Sequence, residues 1–174
     1  MPPASSRWWR RVKRMSIKKN IFISHLHEDD KLLPKLKDLI SNAGMEVRDG
    51  SINSDKPNEA SNEAYIKREI LAPRIDWAST LVVLITRHTA QSDWVNWEIK
   101  YAIEKGKNVV GVFAEGVTDA DIPEELGKHA TAIVGWQGDH VVGAINGNIT
   151  GWDDPATGSP RTSGDWTVKR YSCG

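Results

Sequence analysis

Cysteine is nearly absent from this chain. One residue, Cys173, stands among 174, which excludes an internal disulfide framework and a Cys-rich zinc site. Long apolar runs are missing as well. No stretch approaches the roughly 20 residues of a membrane span, and residues 1–14 hold no apolar core of the secretory kind. Net charge is zero, at 23 Lys+Arg against 23 Asp+Glu, which is unlike a dedicated nucleic-acid binder. The zero conceals a segregation. Arg7, Arg10, Arg11, Lys13, Arg14, Lys18 and Lys19 precede Asn20 with no acid among them, so residues 20–174 carry 16 bases against 23 acids, a net of −7. The expectation is a cytoplasmic protein with neither nucleic acid nor membrane as a partner.

The signatures of several common chemistries are also lacking. The turn after the first strand is Ser24-His25-Leu26-His27, without the glycines of a dinucleotide fingerprint. Gly106-Lys107 is followed by Asn108 and precedes a strand, so it is no phosphate loop. The third strand ends in Thr86-Arg87, where a phospho-receiver would need an aspartate. No Gly-x-Ser-x-Gly elbow exists, and Cys173 lies in the tail, which leaves nucleophilic hydrolase chemistry without a candidate. His25, His27, Glu28 and Asp29 invite a metal reading. His-x-His at a strand end points its rings apart, however, and no second ligand group is visible, so no metal is expected.

What is there reads as three segments. Residues 1–19 form a basic, disordered extension, or lie partly upstream of a start at Met15, which leads straight into the first strand. Residues 20–148 form one domain of ordinary size. Residues 149–174 form a tail in which turn signals surround Trp152, Trp166 and Tyr171, aromatics expected to pack on the domain or on a neighbour. Within the body, strands are expected at 20–24, 45–47, 80–86, 108–113 and 130–134. The third is apolar throughout, as a strand buried on both faces should be. Between them the spacing predicts a helix opened by Glu28-Asp29-Asp30 and closed by Gly44. A second is predicted over 62–71, with Tyr65, Ile66 and Ile70 inward and a stop before Pro73. A third is capped by Ser92 or Asp93, and a last one covers 140–145. The alternation means a three-layer, flavodoxin-like α/β fold, with a five-stranded parallel sheet of order 2-1-3-4-5 and helices on both faces. Ligands of such sheets collect at the carboxyl ends of the strands, where the order reverses. Ser24 to His27 and Thr86 to His88 fall there.

One segment is more specific. Ser92-Asp93-Trp94-Val95-Asn96-Trp97-Glu98-Ile99 opens a helix after the third strand, with Trp94 and Glu98 four apart on one face. Ile103-Glu104-Lys105-Gly106-Lys107-Asn108 then leads into an apolar strand. The Trp-x-x-x-Glu pattern resembles the segment that carries the catalytic glutamate of NAD⁺-cleaving TIR enzymes, and Ile21-Phe22-Ile23-Ser24 resembles the first TIR box. These features cover about residues 20–147. They are most similar to the stand-alone bacterial TIR-like family of the Thoeris antiphage system, the ThsB type. Asp49–Glu59 departs from the loop that TIR domains usually carry after strand two.

The resemblance implies an antiphage-defence enzyme, an NAD⁺ glycohydrolase or ADP-ribosyl cyclase. It would release nicotinamide and form ADP-ribose or a cyclic or conjugated ADP-ribose signal. NAD⁺ would be substrate, with no cofactor. The partners implied are further copies of the chain, through TIR–TIR contacts, and a separate effector, SIR2-type or other, reached through the nucleotide signal. Glu98 is the catalytic candidate. A carboxylate near the ribose can stabilise the oxocarbenium-like charge that develops as nicotinamide leaves, and a place near a helix start is expected to keep it ionised. Phe22, Ser24, His25, Leu26, Asp49, Thr86 and Trp94 are the candidate substrate-binding residues. Trp97 adds aromatic surface, and Ser51 follows Asp49 into the same region. The alternatives are a non-catalytic TIR self-assembly or adaptor module, and a nucleotide-binding sensor using the same cleft.

Overall fold

The computed structural model describes residues 17–51 and 63–161. The basic residues 1–16, most of the loop after strand two, and Trp166, Tyr171 and Cys173 lie outside the described residues.

Six parallel strands form one sheet in the order β2-β1-β3-β4-β5-β6. They are β1 (Ile17–Ser24), β2 (Met45–Asp49), β3 (Thr80–Ile85), β4 (Asn108–Phe113), β5 (Ala132–Val134) and β6 (Gly151–Trp152). The sequence predicts five. The sixth comes from what reads as tail: Gly151 and Trp152 pair with Ala132 and Ile133. Two residues are too few to show a period, and Trp152 is buried only because β5 offers it an edge. β1 also begins earlier than expected. Lys18 and Lys19 lie in the strand, in register with Glu46 and Val47, and Lys18 Nζ sits 3.4 Å from Glu46 Oε1.

Every residue of β3 is buried, which fits its place between β1 and β4. Helices cover both faces. α1 (Leu32–Asn42) packs on α5 (Gly138–Ile145) on one side. On the other, the helix over residues 63–77 (α2) packs on α3 (Asp93–Glu104), and α3 on α4 (Glu124–His129).

The helices differ from the reading in several ways: α4 is one the spacing does not predict, and α5 starts at Gly138 rather than at residue 140. The acids Glu28 and Asp29 do not open α1; they form a separate 3₁₀ turn, His27–Asp29, and α1 starts at Leu32. α2 does not stop before Pro73. Its middle, Ile66–Leu71, has π geometry, and the Ala72 N–H donates to the Lys67 carbonyl five residues back. That wider turn lets Pro73, which has no N–H to give, enter as the second residue of a fresh α segment, Ala72–Trp77. The changed phase puts Tyr65 outward, 48% exposed, whereas Leu71 and Ile75 point in.

Candidate functional site

Ser92 caps α3, its hydroxyl accepting the Val95 N–H. The capped helix then turns Val95, Glu98, Ile99 and Ala102 toward the sheet. Glu98 thus faces inward from the second turn, past the reach of the dipole's favourable end. It is 8% exposed. Ser24, at the carboxyl end of β1 and paired with Val83 of β3, donates its hydroxyl proton to Glu98 Oε2. Burial pushes the Glu98 carboxyl up to about 8, and the Ser24 hydrogen bond pulls it back only in part. This runs against the expectation of an ionised glutamate: the dipole does not reach Glu98, and desolvation outweighs the Ser24 hydrogen bond.

Alternation along β1 puts Phe22 on the same face as Ser24, buried in the core beneath it. His25 lies against the protein, its ring Nδ1 2.9 Å from the Ile23 carbonyl and its Nε2 2.8 Å from Asp30 Oδ1. Leu26 packs partly buried on the core. Thr86 is buried just beyond β3 and donates to Asp29 Oδ2 at 2.7 Å, while its N–H donates to Thr89 Oγ1.

Two candidates stand apart from Glu98. Asp49 is in register with Ile21, so it shares the opposite face of the sheet from Ser24. There its carboxylate meets Lys37 of α1 at 2.8 Å and accepts the Ser51 N–H and hydroxyl. Its register, invisible in a loop-like sequence, decided this. Trp94 lies outward, 38% exposed. Lys67 Nζ of α2 sits 5.2 Å from its ring centroid and 5.8 Å from that of Trp97, and Trp97 stacks on Tyr101 at 5.2 Å. Trp94 therefore contributes to an aromatic surface between α2 and α3, beside a groove of about 460 Å³ lined by Lys67, Asp76, Trp97 and Tyr101.

A larger cleft, about 900 Å³, opens at the strand ends between the start of α1 and the turn before α5. Thr86, Arg87 and His88 line it, and so do Trp136 and Pro155–Gly158. Glu98 lines neither of these two cavities. Sequence reasoning missed the far wall of the cleft, because its partners lie 13 to 21 residues apart. Asp153 Oδ2 accepts the Gly135 N–H at 2.9 Å and faces His140 Nδ1 at 2.6 Å, and Gln137 Nε2 donates to the Gly158 carbonyl at 2.8 Å. An acid buried among turn residues was the available signal. Among the described residues no His, Cys, Asp and Glu side chains gather to hold a metal, and no helix is long and apolar enough to cross a membrane.

Residues 22–119 match the family described as Thoeris protein ThsB, TIR-like domain. No curated protein matches the chain. Among solved structures, the CMP N-glycosidase BcmB of Clostridium botulinum is similar over 56% of this chain and 71% of its own, at 18% identity and TM-score 0.38. A conserved protein from Enterococcus faecalis V583 is similar over 57% and 65%, at 15% identity and TM-score 0.39. At these levels neither bears on chemistry.

Proposed function

The chain belongs to the ThsB TIR-like family, and from that premise we propose that it is a defence enzyme that cleaves NAD⁺ at the bond between nicotinamide and ribose, with Glu98 as the catalytic carboxylate. The observation that carries this reading is the pairing of Glu98 with Ser24 at the carboxyl end of the central strands. A carboxyl held there can accept a ribose hydroxyl and stabilise the positive charge that grows on the ribose as nicotinamide leaves. The bonding pair departs with nicotinamide. Water adding at the same carbon gives ADP-ribose and one proton. An internal nucleophile in place of water gives a cyclic or conjugated product, the form that serves as a signal to a separate effector.

The raised carboxyl fits this work. A neutral acid is cheap to bury in the free protein, and the cationic pyridinium ring of NAD⁺ favours its ionised form on arrival. Free nicotinamide, followed by chromatography, tests the reading. Glu98→Gln is expected to lower its release by about 100-fold or more; release at the wild-type rate would remove Glu98 from the mechanism. Because the free protein holds the proton up to about pH 8, kcat/KM is expected to rise with pH and level off above that value.

A second reading, self-assembly without catalysis, is favoured by one observation. Tyr65, Trp77 and Trp94 are exposed large hydrophobic residues on α2 and α3. Light scattering distinguishes it: oligomers dispersed by Trp94→Ala, with no nicotinamide released by the intact chain, would favour assembly over cleavage.

A further inference from the structure

The 900 Å³ cleft is not explained by Glu98. It opens at the carboxyl ends of β1, β3, β4 and β5, and the loops after β1 and β3 that line it flank the point where the strand order reverses. Open α/β sheets bind ligands there, and the volume is that of a small-molecule site. Its far wall, at Gly135–Gln137 and Pro155–Gly158, lies beyond the residues 22–119 that carry the family match. That wall is fixed in advance by Asp153, His140, Gln137 and the Ala156 and Thr157 N–H groups donated to Asp154.

Charge identifies the ligand class. Lys31 and Lys35, one helical turn apart, line one side, and Arg87 lines another. Residues 20–174 hold 23 acids against 16 bases, and Lys37, Lys67 and Lys128 are each paired with a carboxylate. Lys31, Lys35 and Arg87 form no ion pair with any described residue, although Glu28, Asp29 and Glu115 line the same cleft. Of those acids, Asp29 already accepts the Thr86 hydroxyl proton, and Glu28 and Glu115 are exposed. Three unspent cations thus face a cavity that also presents Trp136, a half-buried aromatic ring. We propose that this cleft binds a phosphorylated nucleotide at a site separate from Glu98, with the phosphates among Lys31, Lys35 and Arg87 and the base against Trp136.

Isothermal titration of the full chain with ADP tests this without NAD⁺ turnover, so it stands or falls apart from the cleavage reading. One ADP per chain is expected, with wild type and Glu98→Gln alike and affinity falling as salt is added. Arg87→Ala and the double variant Lys31→Ala/Lys35→Ala are each expected to weaken binding tenfold or more. Lys100→Ala, an exposed lysine on α3, is expected to leave it unchanged. These substitutions are at exposed side chains, and a melting curve checks that each variant folds. No binding at millimolar ADP, or binding indifferent to Arg87, Lys31 and Lys35, would overturn the proposal. Loss of ADP binding in Glu98→Gln would place the ligand at Glu98 and overturn it equally.

Discussion

Glu98 shows how burial and hydrogen bonding compete at one residue. Its carboxyl is pushed from 4.5 to about 8 chiefly by desolvation, against the pull of Ser24. The same shift bears on stability. Between about pH 4.5 and 8 the folded chain keeps a proton that the unfolded chain has released. Stability contributed by this group is therefore full below the lower value and falls as pH rises through the window, by up to about 1.4 kcal/mol per pH unit. Glu98→Gln keeps the shape and the Ser24 partner but has no proton to lose. The variant is expected to melt progressively higher than wild type between pH 5 and 8, with the difference constant above that. Calorimetry across the window checks it, and a difference independent of pH would show that Glu98 is not buried as a neutral acid.

At the scale of elements, close approach sets what each helix tolerates. Gly138 begins α5 where it crosses α1, and a Cβ built there would sit 2.8 Å from the Leu39 carbonyl oxygen. Backbone cannot yield as a flexible side chain does, so Gly138→Ala is expected to cost about 1–3 kcal/mol, read by denaturant unfolding. Ser92→Ala removes the cap of α3 and is expected to cost about 1 kcal/mol. Because α3 carries Glu98 opposite Ser24, the cap variant is also expected to lower nicotinamide release more than its stability loss explains at 25 °C.

Over the whole molecule, the strands after β3 form a sheet that the carboxyl-terminal segment completes. β6 covers the edge of β5, Trp152 is buried, and Arg161 reaches back to Asp119 at 2.9 Å. Removing residues 151–174 would strip the edge of β5 and the partners of His140 and Gly135. The truncated chain is expected to unfold at lower denaturant and to aggregate, since an open strand edge invites pairing. Light scattering on heating checks this. A truncated chain as stable as the full one would mean that β6 adds nothing to the fold.

Much of this protein was legible in sequence because it depends on local pattern. The apolar run from Leu81 to Ile85 could be little but a central strand, the Ser92 cap lay next to the helix it opens, and Trp94 to Ile99 carried the family likeness that residues 22–119 bear out. What escaped depends on partners distant in the chain. Nothing near Glu98 in sequence tells that 74 residues upstream Ser24 waits for it, or that the sheet will bury it deeply enough to keep its proton. Asp49 went to the other face by register with Ile21, and β6 exists only because β5 ends exposed without it. Sequence determined the alternation of elements and the identity of the candidate carboxyl. Tertiary structure decided its protonation, its partner and the cleft at the strand ends, because desolvation and strand register are properties of neighbours in space.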